Sequence, residues 1–275
     1  MFLQRAIVSA TMGSLAVWLL YQGGYWFAVP VLILLLIGGA EFVNIAKEMQ
    51  ITVQRDLLLA TIGLQVVAAM FLGSNGLSAA LIVSLFWALC IGLWRYEKAE
   101  AGLTSAEWFA TTTGIIFLGW MGSHFVLMRN LLPETGSLAW QWTMLVIMTT
   151  WSADTGAYLV GSYITRFIGR HDLTPRLSPK KSVEGYIGGI LFGLLFSWIV
   201  GVLVFGLAVA PVLLMALFVT ALGTAGDLGV SMLKREAQVK DSGVLFPGHG
   251  GALDRIDSII WTAALSYYIL QMIVL

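Results

Sequence analysis

The sequence predicts an all-α integral membrane protein, a polytopic bundle of about nine transmembrane helices, and three observations carry that expectation. Apolar residues make up 59% of the 275 residues and charged ones only 11%, against roughly 45–50% and ~25% in a soluble domain. Mean hydropathy is +0.87. Apolar stretches of spanning length recur from one end of the chain to the other, and the Lys and Arg residues between them fall almost wholly on alternate connections.

A spanning helix needs about 20 mainly apolar residues. Nine stretches qualify, at roughly 6–22, 25–46, 56–73, 76–94, 106–128, 140–161, 186–206, 208–230 and 256–275. Arg5 followed by Ala6 to Leu20 resembles a signal peptide, but no small-x-small cleavage site precedes the next apolar run, so it is expected to be a retained first span. With nine spans, fourteen of the fifteen Lys and Arg residues share one side, and only Arg129 falls on the other. Cytoplasmic loops carry the excess of Lys and Arg, so the amino terminus is expected to be cytoplasmic and the carboxyl terminus exterior.

The connections differ in kind. Gln22-Gly23-Gly24 and Gly73-Ser74-Asn75-Gly76 read as short uncharged exterior turns, whereas 162–185 and 231–255 are long, polar and cytoplasmic. This divides the chain into amino-terminal membrane helices over 1–140 and a carboxyl-terminal region over 141–275 whose cytoplasmic face is where any chemistry is expected. Trp18, Trp26, Trp87, Trp94, Trp108 and Trp120 are explained by interfacial anchoring and packing. Cys90, the single cysteine, lies in an apolar run and reads as a lipid-facing or packed small residue. Fifteen acidic residues balance fifteen basic ones, so net charge points to no partner class, and no nucleic-acid partner is expected.

An ionisable group inside a span costs about 2.5–3.5 kcal/mol on insertion scales. Three residues qualify: Glu41, Asp154 and Asp227. Glu41 precedes Ala46 and Lys47 by only five and six residues, close enough to the interface to be hydrated or paired. Asp154 stands with Ser152, Thr155 and Tyr158, a small polar face suited to a cavity. Packing through small residues accounts for Gly156 and Ala157 but leaves the carboxylate over.

The densest cluster is 226–257. Asp227, Ser231 and Lys234 recur at i, i+4 and i+7 and so share a helical face. Phe246-Pro247-Gly248-His249-Gly250-Gly251 reads as a tight turn whose backbone N–H groups can approach an anion, and Asp254 and Asp257 follow at i, i+3 in the first turn of the last helix. Carboxylates beside Lys234, Arg235, Lys240 and Arg255 suit a nucleotide-phosphate site. Carboxylate oxygens hold magnesium, which completes its octahedron with waters and substrate phosphates, and bases neutralise the remaining charge. The bland alternative is a set of snorkelling bases with carboxylates as their partners. In 169–185, Gly, Pro and Ser predict a loop leading to a helix start at or after Ser182, with Glu184 in its first turn. Arg170, His171, Arg176, Lys180 and Lys181 there would attract lipid headgroups, or the two lysines would form an anion site at the helix amino terminus. His249 reads as a turn or phosphate contact rather than a transition-metal ligand.

Taken together, Ser231-x-Leu233-Lys234-Arg235, Lys240-Asp241-x-Gly243 and Phe246-Pro247-x-His249-Gly250-Gly251-x-x-Asp254-Arg255-x-Asp257 resemble the signature of the phosphatidate cytidylyltransferases, also called CDP-diacylglycerol synthases. Fifteen positions are specified within 27 residues. Ser178-Pro179-Lys180-Lys181-Ser182-x-Glu184-Gly185 and Asp154-Thr155-x-Ala157-Tyr158 are similar to the same family. The likeness is specific over about 150–260; over 1–140 it is one of length and hydropathy. Ala252 stands where the family usually has a larger aliphatic residue or Phe, and Ser182 where Thr is commoner.

The resemblance implies a homodimeric, multi-pass enzyme of a bacterial inner membrane, with a funnel open to the cytoplasm and laterally to the bilayer. Its substrates would be CTP and phosphatidic acid, and its products CDP-diacylglycerol and pyrophosphate. Asp227 and Asp254 match the metal-binding carboxylates, for Mg2+ with a second monovalent ion such as K+. Asp227, Asp254, Lys234 and Asp257 are the expected catalytic set; Asp154, Lys180, Lys181, Ser182, Ser231, Arg235, Lys240, His249 and Arg255 are expected to bind substrate. A polyprenol or phytol kinase, or an ether-lipid cytidylyltransferase, would share this architecture. A cation- or proton-coupled transporter using Glu41, Asp154 and Asp227 as a relay would instead place ionisable groups near the midplane and on both sides. They crowd to the cytoplasmic edge.

Overall fold

In a computed structural model of the protein, which describes residues 13–98, 105–131, 137–245 and 250–273, each apolar stretch from 25 onward falls on a helix. The elements in chain order are α1 (13–22), α2 (Gly24–Glu48), α3 (Arg55–Glu97), α4 (Ser105–Arg129), α5 (Ser137–Leu159), strands β1 (Asp172–Thr174) and β2 (Ser178–Ser182), α6 (Val183–Val204), α7 (Val209–Glu236) and α8 (Leu253–Ile273). Wide π turns interrupt α4 at Ile115–Met121, follow α5 at Val160–Ile164 and end α6 at Trp198–Val204.

Among the described residues, six helices (α2, α3, α4, α6, α7 and α8) are long and apolar enough to cross a membrane. α5, with Gln141, Thr143, Thr149, Thr150, Ser152, Asp154 and Thr155 in its 23 residues, is not among them. Large apolar side chains such as Phe71, Leu72, Ile82, Phe86, Leu191, Leu195 and Leu203 stay exposed along these helices. A row of exposed apolar groups on spanning-length helices is the surface of a protein dissolved in lipid, so the chain is an all-α polytopic membrane protein. The first expected span, 6–22, lies partly outside the described residues.

Two expected exterior turns are tighter than the sequence suggests. Only Gly73 leaves helical geometry in the 43 residues of α3, at φ 67° and ψ −154°, so Ser74-Asn75-Gly76 is already helical rather than loop. Gly23, at φ 65°, is the one residue between α1 and α2. Both positions use the positive φ that glycine adopts without a Cβ clash.

Internal contacts sort the chain into two units, Met1–Asn130 with Leu233–Ile256, and Leu131–Met232 with Asp257–Leu275. In the first, Leu35, Leu58, Ile62, Ile115 and Leu118 are fully buried. Glycines allow close approach there: Gly39 meets Ile62, Gly114 meets Phe42 and Leu58, and Gly122 meets Leu35. Arg129, the one base expected on the exterior side, donates from Nε to the Leu20 carbonyl at 2.7 Å and from Nη2 to that of Tyr21 at 3.0 Å, which satisfies the orphan carbonyls at the end of α1.

The second unit packs α5 on α6 through small residues, as the sequence predicts for Gly156 and Ala157. Gly156 lies against Phe192, Gly185 against the Ala157 carbonyl, Gly188 against Val160 and Gly189 against the Ala153 carbonyl. Hydroxyl pairs tie the helices: Thr149 to Ser197 at 2.6 Å and Thr150 to Thr262 at 3.2 Å. Tyr186 donates to the Ala221 carbonyl of α7 at 2.8 Å.

Candidate active site

The polar segment 169–185 is a hairpin rather than the expected loop. β1 and β2 pair antiparallel, with Asp172 opposite Ser182 and Thr174 opposite Ser178. Side chains supply what such short strands lack. Glu184 accepts from the His171 amide at 3.1 Å and meets His171 Nδ1 at 2.6 Å, Arg170 lies 3.2 Å from Asp172, and the Arg170 guanidinium donates to the Pro179 carbonyl. The hairpin ends at the expected helix start. Ser182 has extended backbone and its Oγ accepts from the Gly185 amide at 3.0 Å, the N-cap of α6.

This hairpin delivers Lys181 to α7. Lys181 Nζ lies 2.5 Å from Asp227 Oδ2, with side-chain exposures of 26% and 33%, and Ser231, one turn on, donates to Asp227 Oδ1 at 3.2 Å. Asp227 can sit there because Gly226 beside it lets α7 approach the Asp257 carbonyl and Ser258 of α8. Lys180, next along β2, is exposed.

In the first unit, Lys234 and Asp254 form a second pair, nearly buried at 11% and 7% side-chain exposure, with Nζ 2.5 Å from Oδ1. Asp254 Oδ2 accepts from the amides of Ser242 at 2.8 Å and Gly251 at 3.0 Å. The Ser242 hydroxyl lies 2.9 Å away. Gly250 takes φ 83°, and a Cβ there would overlap the Asp254 carboxylate, so the turn must be glycine on both counts.

Arg235, Lys240 and Arg255 are exposed, with Arg235 donating to the Val239 carbonyl at 3.4 Å. Asp154 lies exposed on α5. Asp257 is buried, and its Oδ1 accepts from the Ser258 amide at 2.7 Å. His249 falls outside the described residues. Two residues that the expected set leaves out lie at the turn around Asp254: Ser242, whose amide donates to Asp254, and Glu41, buried within the first unit. The cost of an intramembrane carboxylate is the signal that marks Glu41. Nothing local marks its partners.

The donor chemistry fits magnesium. Asp227 and Asp254 each offer hard carboxylate oxygens, and each already carries a lysine ammonium at 2.5 Å, a cation where a cation is called for. Among the described residues no three His, Cys, Asp or Glu side chains converge. Magnesium is commonly held by one or two carboxylates and takes its other ligands from water and phosphate.

Residues 3–273 match a family described as the cytidylyltransferase family. A phosphatidate cytidylyltransferase of Synechocystis is 32% identical, over 96% of this chain and 95% of its own length. One of Brucella suis is 30% identical over 96% and 91%, and one of Bacillus subtilis 37% identical over 58% and 57%.

Proposed function

The chain belongs to the cytidylyltransferase family, and from that premise we infer that it converts CTP and phosphatidate to CDP-diacylglycerol and pyrophosphate. The observation that carries the reading is that each of the two expected metal-binding aspartates is paired with a lysine, Asp227 with Lys181 and Asp254 with Lys234. A phosphate oxygen of phosphatidate attacks the α-phosphorus of CTP in line. The new P–O bond forms as the bond to the β-phosphate bridge breaks, and pyrophosphate leaves with that electron pair. The nucleophile is already ionised at neutral pH, so no general base is needed.

Catalysis of this kind is positioning and charge neutralisation. Lys234, Arg235 and Lys240 take the triphosphate and the leaving pyrophosphate, and Lys180 and Lys181 take a phosphate of one of the two substrates. Asp227 and Asp254 are the carboxylates that would hold magnesium, which when bound supplies charge stabilisation to the phosphoryl oxygens; a monovalent ion such as potassium completes the same proposal. The buried Asp257 acts from behind, through the start of α8. Nine spans, a cytoplasmic amino terminus, a cytoplasmic site in a bacterial inner membrane and a homodimer scaffolded by 1–140 belong to this reading.

The test is purified protein with radiolabelled CTP, magnesium and phosphatidate, set against ATP as donor and against diacylglycerol and polyprenol as acceptors. Labelled CDP-diacylglycerol with CTP alone is the expected product. Equal turnover with ATP, or phosphorylation of polyprenol, would move the reading to a lipid kinase.

A further inference from the structure

Glu41 lies in α2, in the half of the chain where the sequence carries no motif, and is 7% exposed. A carboxylate so placed is costly unless hydrogen-bonded. Both of its oxygens are engaged. Oε1 accepts from the Ala252 amide at 3.0 Å and Oε2 from the Leu253 amide at 2.8 Å. These are orphan donors at the amino terminus of α8, where a negative charge also meets the positive end of the helix dipole.

The Ser242 hydroxyl stands 2.9 Å from both Glu41 Oε2 and Asp254 Oδ2, and its single proton serves one of them at a time. Glu41 also accounts for two signature glycines. A Cβ on Gly243 would overlap its Oε1, and one on Gly251 would overlap both oxygens. The Lys240-Asp241-x-Gly243 and Gly250-Gly251 segments therefore close around a side chain about 200 residues upstream, the separation of Glu41 and Ser242 being 201.

We propose that Glu41 is a positioning residue for cytidylyl transfer: from α2 it fixes the amides of Ala252 and Leu253 and the hydroxyl of Ser242, and so sets where Asp254 is presented. The proposal rests on the reading of Asp254 given above. Glu41 acts through the turn, as the outer partners that orient a metal ligand do.

The experiment compares wild-type protein with Glu41→Gln, which keeps the size but sets an NH2 group against one of the two amides, and Glu41→Asp, which keeps the charge. Hydrogen exchange followed by mass spectrometry reads the turn without any substrate. At Ala252 and Leu253, exchange should quicken in Glu41→Gln by tenfold or more while that of α5 and α6 stays unchanged, with Glu41→Asp between. In the assay the magnesium concentration for half-maximal rate should rise about 10–100-fold, the usual effect of losing an outer partner, with the KM for phosphatidate unchanged and partial recovery in Glu41→Asp. Wild-type exchange at 250–254 in Glu41→Gln would overturn the hold on the turn. Faster exchange with an unchanged magnesium requirement would overturn the positioning role. Should Glu41→Gln not fold, the same two readings on Glu41→Asp decide. Wild-type protein that transfers no cytidylyl group would instead overturn the function, a failure separable because the exchange readings need no turnover.

Discussion

Lys181 and Lys234 make ion pairs of the same length in different surroundings, and that difference sets what each is worth. The Lys234–Asp254 pair is nearly buried, at 11% and 7% side-chain exposure, so removing the ammonium leaves a carboxylate stranded, a loss of about 3–5 kcal/mol. The Lys181–Asp227 pair, at 26% and 33%, keeps water beside it, and an exposed pair contributes ~0–1 kcal/mol. Unfolding of detergent-solubilised variants should accordingly show Lys234→Met far less stable than wild type and Lys181→Met close to it. Equal losses would mean that burial does not decide the strength of these pairs. Asp257→Asn keeps an acceptor for the Ser258 amide, which Oδ1 holds at 2.7 Å, so turnover should fall much less than on neutralising Asp254. The pairing of particular lysines with particular aspartates was not legible from spacing. Asp227, Ser231 and Lys234 share a helical pattern, yet only Ser231 bonds Asp227 along the helix, and the aspartate's lysine comes from β2.

At the scale of elements, the hairpin is where sequence reasoning stopped short. Strands of three and five residues, one containing Pro179, lack the alternation that marks a strand. What pairs them is the Glu184 carboxylate on His171 and the Arg170 guanidinium on the Pro179 carbonyl, contacts visible only once folded. The start of α6 was legible because a Ser before Val-Glu is a capping signal, and Ser182 does cap. Ser182→Ala should cost about 1 kcal/mol, measurable as a lower melting temperature, and Ser182→Thr should restore it. If Ser182→Ala kept full stability but lost CTP affinity, the hydroxyl would serve substrate rather than helix. The Gly73 kink follows the same logic: glycine announced a break, but one positive φ suffices where four loop residues were expected.

Over the whole molecule, hydropathy located the helices because lipid leaves the backbone no other way to satisfy itself. It could not show which of them the turn around Asp254 leans on. Glu41 and Leu253 are 212 residues apart, and no periodicity carries such a contact. A reporter fused at the carboxyl terminus should behave as exterior and one inserted within 231–255 as cytoplasmic, since with the nine spans proposed fourteen of the fifteen bases would share one side. A cytoplasmic carboxyl terminus would put the span count out by one. In the function proposed, the charges of Asp227 and Asp254 carry the reaction, so the CTP-dependent rate should collapse in Asp227→Asn and in Asp254→Asn, each confirmed as inserted and folded. Removing one stabiliser of phosphoryl charge typically costs ~10²–10³ in rate, and each variant should lose at least that much. A variant that kept more than about a tenth of wild-type turnover, against that expected loss, with an unchanged magnesium requirement would contradict the account and make its aspartate a structural group.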